Sequence, residues 1–206
     1  MLALARHLGT DLSSYEHLEH PVQQKILEVM ARFAGLNPNQ ISIGIDGCAA
    51  PNFAMPIRNM ALAYARLVVT ERQGEPEELR PAAMRVVHAM LEHPEMIAGT
   101  HGRLDTDLMI AGRSRLISKA GAEGVHTVGV LPSAQFPAGL GIAVKIEDGD
   151  HRRVINMVVL EALGQLSVLD GSQLASLKHH SPREIPNHRG DSIGQIRPAF
   201  QLDFCG

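Results

Sequence analysis

Apolar positions along the chain fall into two regimes. In three segments between Val22 and Met90 they recur at helical spacing, and from Arg115 to Glu147 they gather into short runs separated by turn residues. In the first regime Pro21 suits a helix's first turn, Val22, Ile26, Val29, Met30 and Phe33 share one face, and Gly35 is placed to stop it. The pattern predicts a helix from His20 to Gly35, another after Pro56 on Ile57, Met60, Ala61, Tyr64, Leu67 and Val68, and a third from Pro81 to Glu92 that buries Ala83, Val86, Val87 and Met90. His93-Pro94 ends the third, because a residue before proline is pushed out of helical backbone. A short helix is expected over Leu104–Ala111, and 72–78 reads as a polar linker.

The second regime predicts strands at 115–119, 124–131 and 140–147, spaced as an antiparallel meander and closed by Asp148-Gly149-Asp150. A long apolar helix over 152–169 is expected to lie across that sheet. The tail from Asp170 reads as loop, with one last edge strand near Ile193–Pro198. The fold class is therefore α+β in a single domain over 1–206: a helical first half, then a three-stranded antiparallel sheet with a covering C-terminal helix. The helix over 1–7 has no capping residue before it, so it reads as one that lacks a beginning.

Composition narrows the function classes. The chain has 206 residues, a net charge of −3 and a pI near 6.4. No basic patch suggests nucleic acid, and no apolar run approaches the roughly 18 residues of a membrane span. The N-terminus has no signal-peptide pattern, and two cysteines do not make a disulfide framework, so the cytoplasm is the expected location.

Candidate chemistry centres on two places. The alternating Ile41, Ile43 and Ile45 read as a strand that breaks at Asp46-Gly47-Cys48, passes through a loop to Asn52, and leads to the helix after Pro56. Such a mount would present Asp46, Cys48 or Asn52. On spacing alone Cys48 reads as a buried structural thiol, with nucleophile and metal ligand as the other readings. Lys119, closing the first meander strand beside Gly121 and Gly124, is either a substrate-facing amine or a surface lysine in a hairpin turn, the latter slightly favoured. A metal site on His179, His180 and His188 is disfavoured by their irregular spacing, and Arg189-Gly190-Asp191 is a chance tripeptide. Thr100 to Arg103 with Asp105 and Asp107 reads as a polar helix start. No P-loop, dinucleotide fingerprint or nucleophile elbow is present.

Ile43-Gly44-Ile45-Asp46-Gly47-Cys48-Ala49-Ala50-Pro51, followed by Phe53-Ala54-Met55-Pro56, resembles the L-asparaginase II family. Ile117 to Val125, Gly139 to Lys145, Asn187-His188-Arg189-Gly190 and Gly194 to Pro198 extend the resemblance in order over essentially the whole chain. The resemblance implies hydrolysis of L-asparagine to aspartate and ammonia on a fold similar to serine β-lactamases and glutaminases. It also implies two Ser–Lys pairs and a zinc ion held by two cysteines and a lysine. Carried across, Cys48 matches the second zinc cysteine and Lys119 the lysine of the second Ser–Lys pair. Neither the family's Ser-x-x-Lys nor its Cys-x-x-Lys occurs in this chain. The expectation is an N-terminally truncated portion of the family's domain, from a truncated gene, a misassigned start or a short homologue. Its zinc site would be incomplete and its activity impaired. L-asparagine is the expected partner, a homodimer is left open, and nucleic acid and membrane are not expected. The alternatives are a non-catalytic module that binds a small polar ligand or another subunit, and an independent Cys48-based hydrolase.

Overall fold

The structure, a computed structural model, describes residues 1–69, 77–150, 154–181 and 183–203. The 72–78 linker lies outside the described residues except for Glu77 and Glu78, which open a 3-10 turn.

The meander is the centre of the fold, and it takes the expected order. Strands β3 (Leu116–Gly121), β4 (Val125–Val130) and β5 (Leu140–Lys145) pair antiparallel in sequence. Lys119 stands opposite Thr127, and Gly129 opposite Gly141. The central strand is covered on both faces, so its residues are buried consecutively from His126 to Val130.

One cover is helix α3 (Ile57–Val68), whose start follows Pro56 as expected. Its approach is set by the Gly129–Gly141 pair. A Cβ on Gly141 would sit 1.9 Å from the Ala61 carbonyl oxygen, and one on Gly129 2.7 Å from Val68. Only glycine lets a helix backbone lie this close to a sheet. Helix α6 (Leu104–Ala111) packs on β3 from the other face, where Asp105 meets Ser118. Helix α7 (Ile155–Gln165) packs against β4 and β5; residues 152 and 153 of the expected helix lie outside the described residues, and the helix ends at Gln165 rather than Leu169. The covering helix is thus one of several, and α3 makes the most extensive contact with the sheet.

After the short helix α1 (Leu2–Leu8), helix α2 (Pro21–Ala34) ends on Gly35, at φ 67° and ψ 37°, the left-handed stop its sequence predicts. Arg66 on α3 donates to the carbonyls of Arg32 and Phe33 at 2.8 and 3.2 Å, and Asn59 donates to that of Ala34 at 2.9 Å. A cation and an amide on the last free carbonyls clamp the negative end of α2 to α3.

Several elements differ from expectation. Helix α2 buries Val22, Gln23, Leu27, Ala31 and Ala34, a stripe turned from the predicted one. Its larger apolar residues Val29, Met30 and Phe33 instead line a groove of about 420 Å³ with Tyr64, Leu67 and Val86. Helix α4 (Arg80–Glu92) buries Ala83, Val87 and Met90, but Val86 is half exposed on that groove. Past Ile45 the chain does not loop to the helix: β1 (Ser42–Ile45) folds back antiparallel on β2 (Pro51–Ala54). Proline is tolerated there because Pro51 is the first residue of an edge strand. A short helix α5 (Glu95–Ala98) precedes α6. The tail is more ordered than predicted. Asp170 and Gln173 form a reciprocal capping box that starts α8 (Gly171–Ser176), and the edge strand β7 (Ser192–Ile196) has a partner in β6 (Arg183–Pro186).

Candidate functional site

Lys119 lies on β3, and antiparallel partners share a face, so Lys119 stands in a cross-strand row with Thr127 and Ala143. The next row along holds Ile117, Gly129 and Gly141, the row on which α3 rests. The amine therefore emerges just past the end of that contact. It is exposed and donates to the Ala120 carbonyl. Thr127 donates from Oγ1 to the Lys119 carbonyl at 3.0 Å. Tyr64, hydrogen-bonded with Thr127, completes the row from α3, and burial pushes its phenol above the usual 10.0. The strand carrying Lys119 is thus tied to β4, and through Thr127 and Tyr64 to α3.

Directly behind Lys119, on the other face, is a buried polar group. Ser118 Oγ donates to Asp105 Oδ1 at 2.9 Å and lies 2.8 Å from His126 Nε2, which is itself 3.4 Å from Asp105 Oδ1. The three residues are 0%, 2% and 2% exposed. Because the single Ser118 proton goes to Asp105, His126 brings its Nε2–H to the serine oxygen. Desolvation lowers the His126 pKa from 6.5; Asp105 opposes the shift and Lys119 adds to it. The residue types are those of a hydrolytic triad, but the geometry is not. Serine and carboxylate meet the same ring nitrogen instead of opposite ones, and no substrate reaches a fully buried hydroxyl. This group fixes β3, β4 and α6 together beneath the lysine.

Cys48 sits at the tip of the β1–β2 hairpin and is exposed, not the buried thiol that spacing favoured. Asp46 organises the tip: its Oδ1 accepts from the Cys48 backbone N–H at 2.8 Å, and its carbonyl accepts from Ala49, whose φ is 65°. The Cys48 thiol and backbone N–H hold the Asp46 carboxyl below the usual carboxylate range. Zinc takes four ligands in a closed site and three in an open one. Among the described residues Cys48 belongs to no group of three His, Cys, Asp or Glu side chains that converge closely enough to hold an ion. The residues present therefore do not form a zinc site at Cys48. No hydrogen bond or ion pair among the described residues joins Cys48 to Lys119, and Asn52 lies on β2 opposite Gly44.

The histidines of the tail divide. His179 and His180 both reach Asp107, whereas His188 lies in the β6–β7 turn, where Asn187 Oδ1 accepts from the backbones of Arg189 and Asp191. Hydrogen bonds from His180 and His179 outweigh the effect of partial burial and hold Asp107 below the usual carboxylate range. The polar stretch at the start of α6 thus supplies two buried or half-buried anchors, Asp105 and Asp107, with separate partners. Sequence reasoning did contain a signal for Ser118 and His126: both are polar residues at inward positions of otherwise apolar strands.

No helix among the described residues is long and apolar enough to cross a membrane. No curated protein matches the chain. The family model described as L-asparaginase II matches residues 1–198, nearly the whole chain, and the chain belongs to that family.

Proposed function

We propose that the chain acts on the side-chain amide of L-asparagine, with Lys119 as the residue that serves the reaction. In the reaction, a nucleophilic oxygen bonds the amide carbon, the C–N bond breaks, and the nitrogen takes up a proton and leaves as ammonia. Water then supplies the oxygen that completes the aspartate carboxylate. Lys119 assists one of the proton transfers. What supports this reading is family membership together with the presentation of Lys119: an exposed amine on a doubly covered sheet, backed by the Ser118–His126–Asp105 group. Turnover by this chain alone is impaired on this reading, because no Ser-x-x-Lys occurs in the sequence to supply a nucleophile beside its base. The same absence favours a second reading, in which the chain binds asparagine without hydrolysing it. An exposed free thiol at Cys48 fits a reducing compartment, the cytoplasm. Zinc at Cys48 would need donors beyond those this hairpin gathers, and no step depends on it.

Ammonia release and thermal stabilisation, both with L-asparagine, separate the readings. Release that falls about a hundredfold or more in Lys119→Ala supports hydrolysis. Stabilisation without release, lost in Lys119→Ala, supports binding. Neither effect in the native chain sinks both.

A further inference from the structure

Asp107, His179 and His180 bring three donor atoms to within 4.8 Å of one another, although the carboxylate is more than 70 residues from the imidazoles in the chain. We propose that they form a binding site for a divalent transition-metal ion of the zinc class, independent of Cys48 and of the asparagine reaction.

The donor set carries the assignment. Two imidazoles and one carboxylate suit zinc, cobalt and nickel, and lack the oxygen-rich shell that calcium or magnesium needs. Distances agree with it. His180 Nε2 lies 2.7 Å from Asp107 Oδ2 and His179 Nε2 lies 3.1 Å from the same oxygen. Ligands about 2.0–2.1 Å from a tetrahedral ion stand about 3.4 Å apart, so each imidazole–carboxylate distance needs to widen by under an ångström to admit the ion. In the metal-free form the imidazole N–H groups hold these atoms together, and an ion takes the place of those protons.

The cluster is also built. Asp107 comes from α6, the imidazoles from the 3-10 turn Lys178–His180, and Asn156 on α7 faces His180 Nδ1 at 3.2 Å. With the Asn156 amide turned so that its oxygen accepts Nδ1–H, Nε2 is the free lone pair. This is the outer hydrogen bond that metal-bound histidines ordinarily have. His180 is 4% exposed and His179 55%, so one imidazole is fixed in the fold while the other borders solvent and leaves open coordination positions. On α6, Asp105 and Asp107 are two residues apart and so point about 200° apart around the helix, which separates this cluster from the group behind Lys119.

The test uses the full chain in a Cys48→Ser, Cys205→Ser background, so that no thiol contributes. Metal-free protein is titrated with zinc by calorimetry and with cobalt by visible absorption. The expected result is one equivalent bound, with cobalt bands that lack a thiolate charge-transfer component, and affinity at least about tenfold weaker in both His179→Gln and Asp107→Asn. His179 is exposed, so its variant keeps the fold even if the Asp107 variant does not. Absence of binding, or binding unchanged by His179→Gln, overturns the proposal. Since neither readout uses asparagine, failure here leaves the proposed reaction untouched, and the reverse holds too.

Discussion

The two β structures that carry the sequence motifs are opposites in construction. The β3–β5 sheet that bears Lys119 is packed on both faces, fixed by a glycine row under α3 and by a buried polar group against α6. The β1–β2 hairpin that bears Cys48 has every β1 residue exposed, and its tip is shaped by the Asp46 side chain. A two-stranded ribbon has little stability of its own. The contrast teaches that a residue's mount decides what it can do: Lys119 has a fixed address, whereas Cys48 has only a local turn.

Glycine substitution breaks the comparison most strongly. Gly141→Ala drives a Cβ into the Ala61 carbonyl and is expected to cost about 3 kcal/mol or more, whereas Gly44→Ala on β1 meets nothing within 4 Å and should stay within about 0.5 kcal/mol. Denaturant melts of the two variants check this; equal losses would show that the sheet is no more tightly packed than the hairpin. Next in size is Ser118→Ala, expected to cost about 1–3 kcal/mol because it strands two buried partners, against no measurable change for exposed Ser42→Ala.

The same buried group predicts a pH dependence. The fold holds His126 with a lowered pKa, while the unfolded chain takes up that proton near 6.5. Its contribution is therefore complete above 6.5 and declines as the pH falls below it. Melting followed across that range should show a weaker decline in His126→Gln than in the native chain, and identical slopes would remove the assignment. The smallest effect sharpens the other side of the comparison. Native-state alkylation of Cys48, read by peptide mass mapping, should proceed nearly as fast as in denaturant, because the thiol is exposed. Strong protection would mean that the hairpin is covered.

What was legible in the sequence follows the same division. Helix α6 and the three meander strands were readable because apolar period and turn residues agree there. The α2 stripe is hard to place from sequence because two of the residues facing the core, Ala31 and Ala34, are small and a third, Gln23, is polar, while Val29, Met30 and Phe33 face a groove. Strand β2 was lost because Pro51-Asn52 carries a loop signature that an edge position overrides. The Asp170–Gln173 capping spacing is present in the sequence, but it stands in a tail whose prolines carry a loop signature. The meeting of Asp107 with His179 and His180 could not be read at all, since only the tertiary fold joins positions so far apart.

Tyr64 has a practical consequence. The sequence contains no tryptophan and only two tyrosines, and one of these lies half-buried beside Thr127 in the row that holds Lys119. With Tyr15 replaced by phenylalanine, the protein's intrinsic ultraviolet emission would come from a single fluorophore next to the candidate site. Ligand arrival or loosening of the sheet could then be followed optically without attaching a dye.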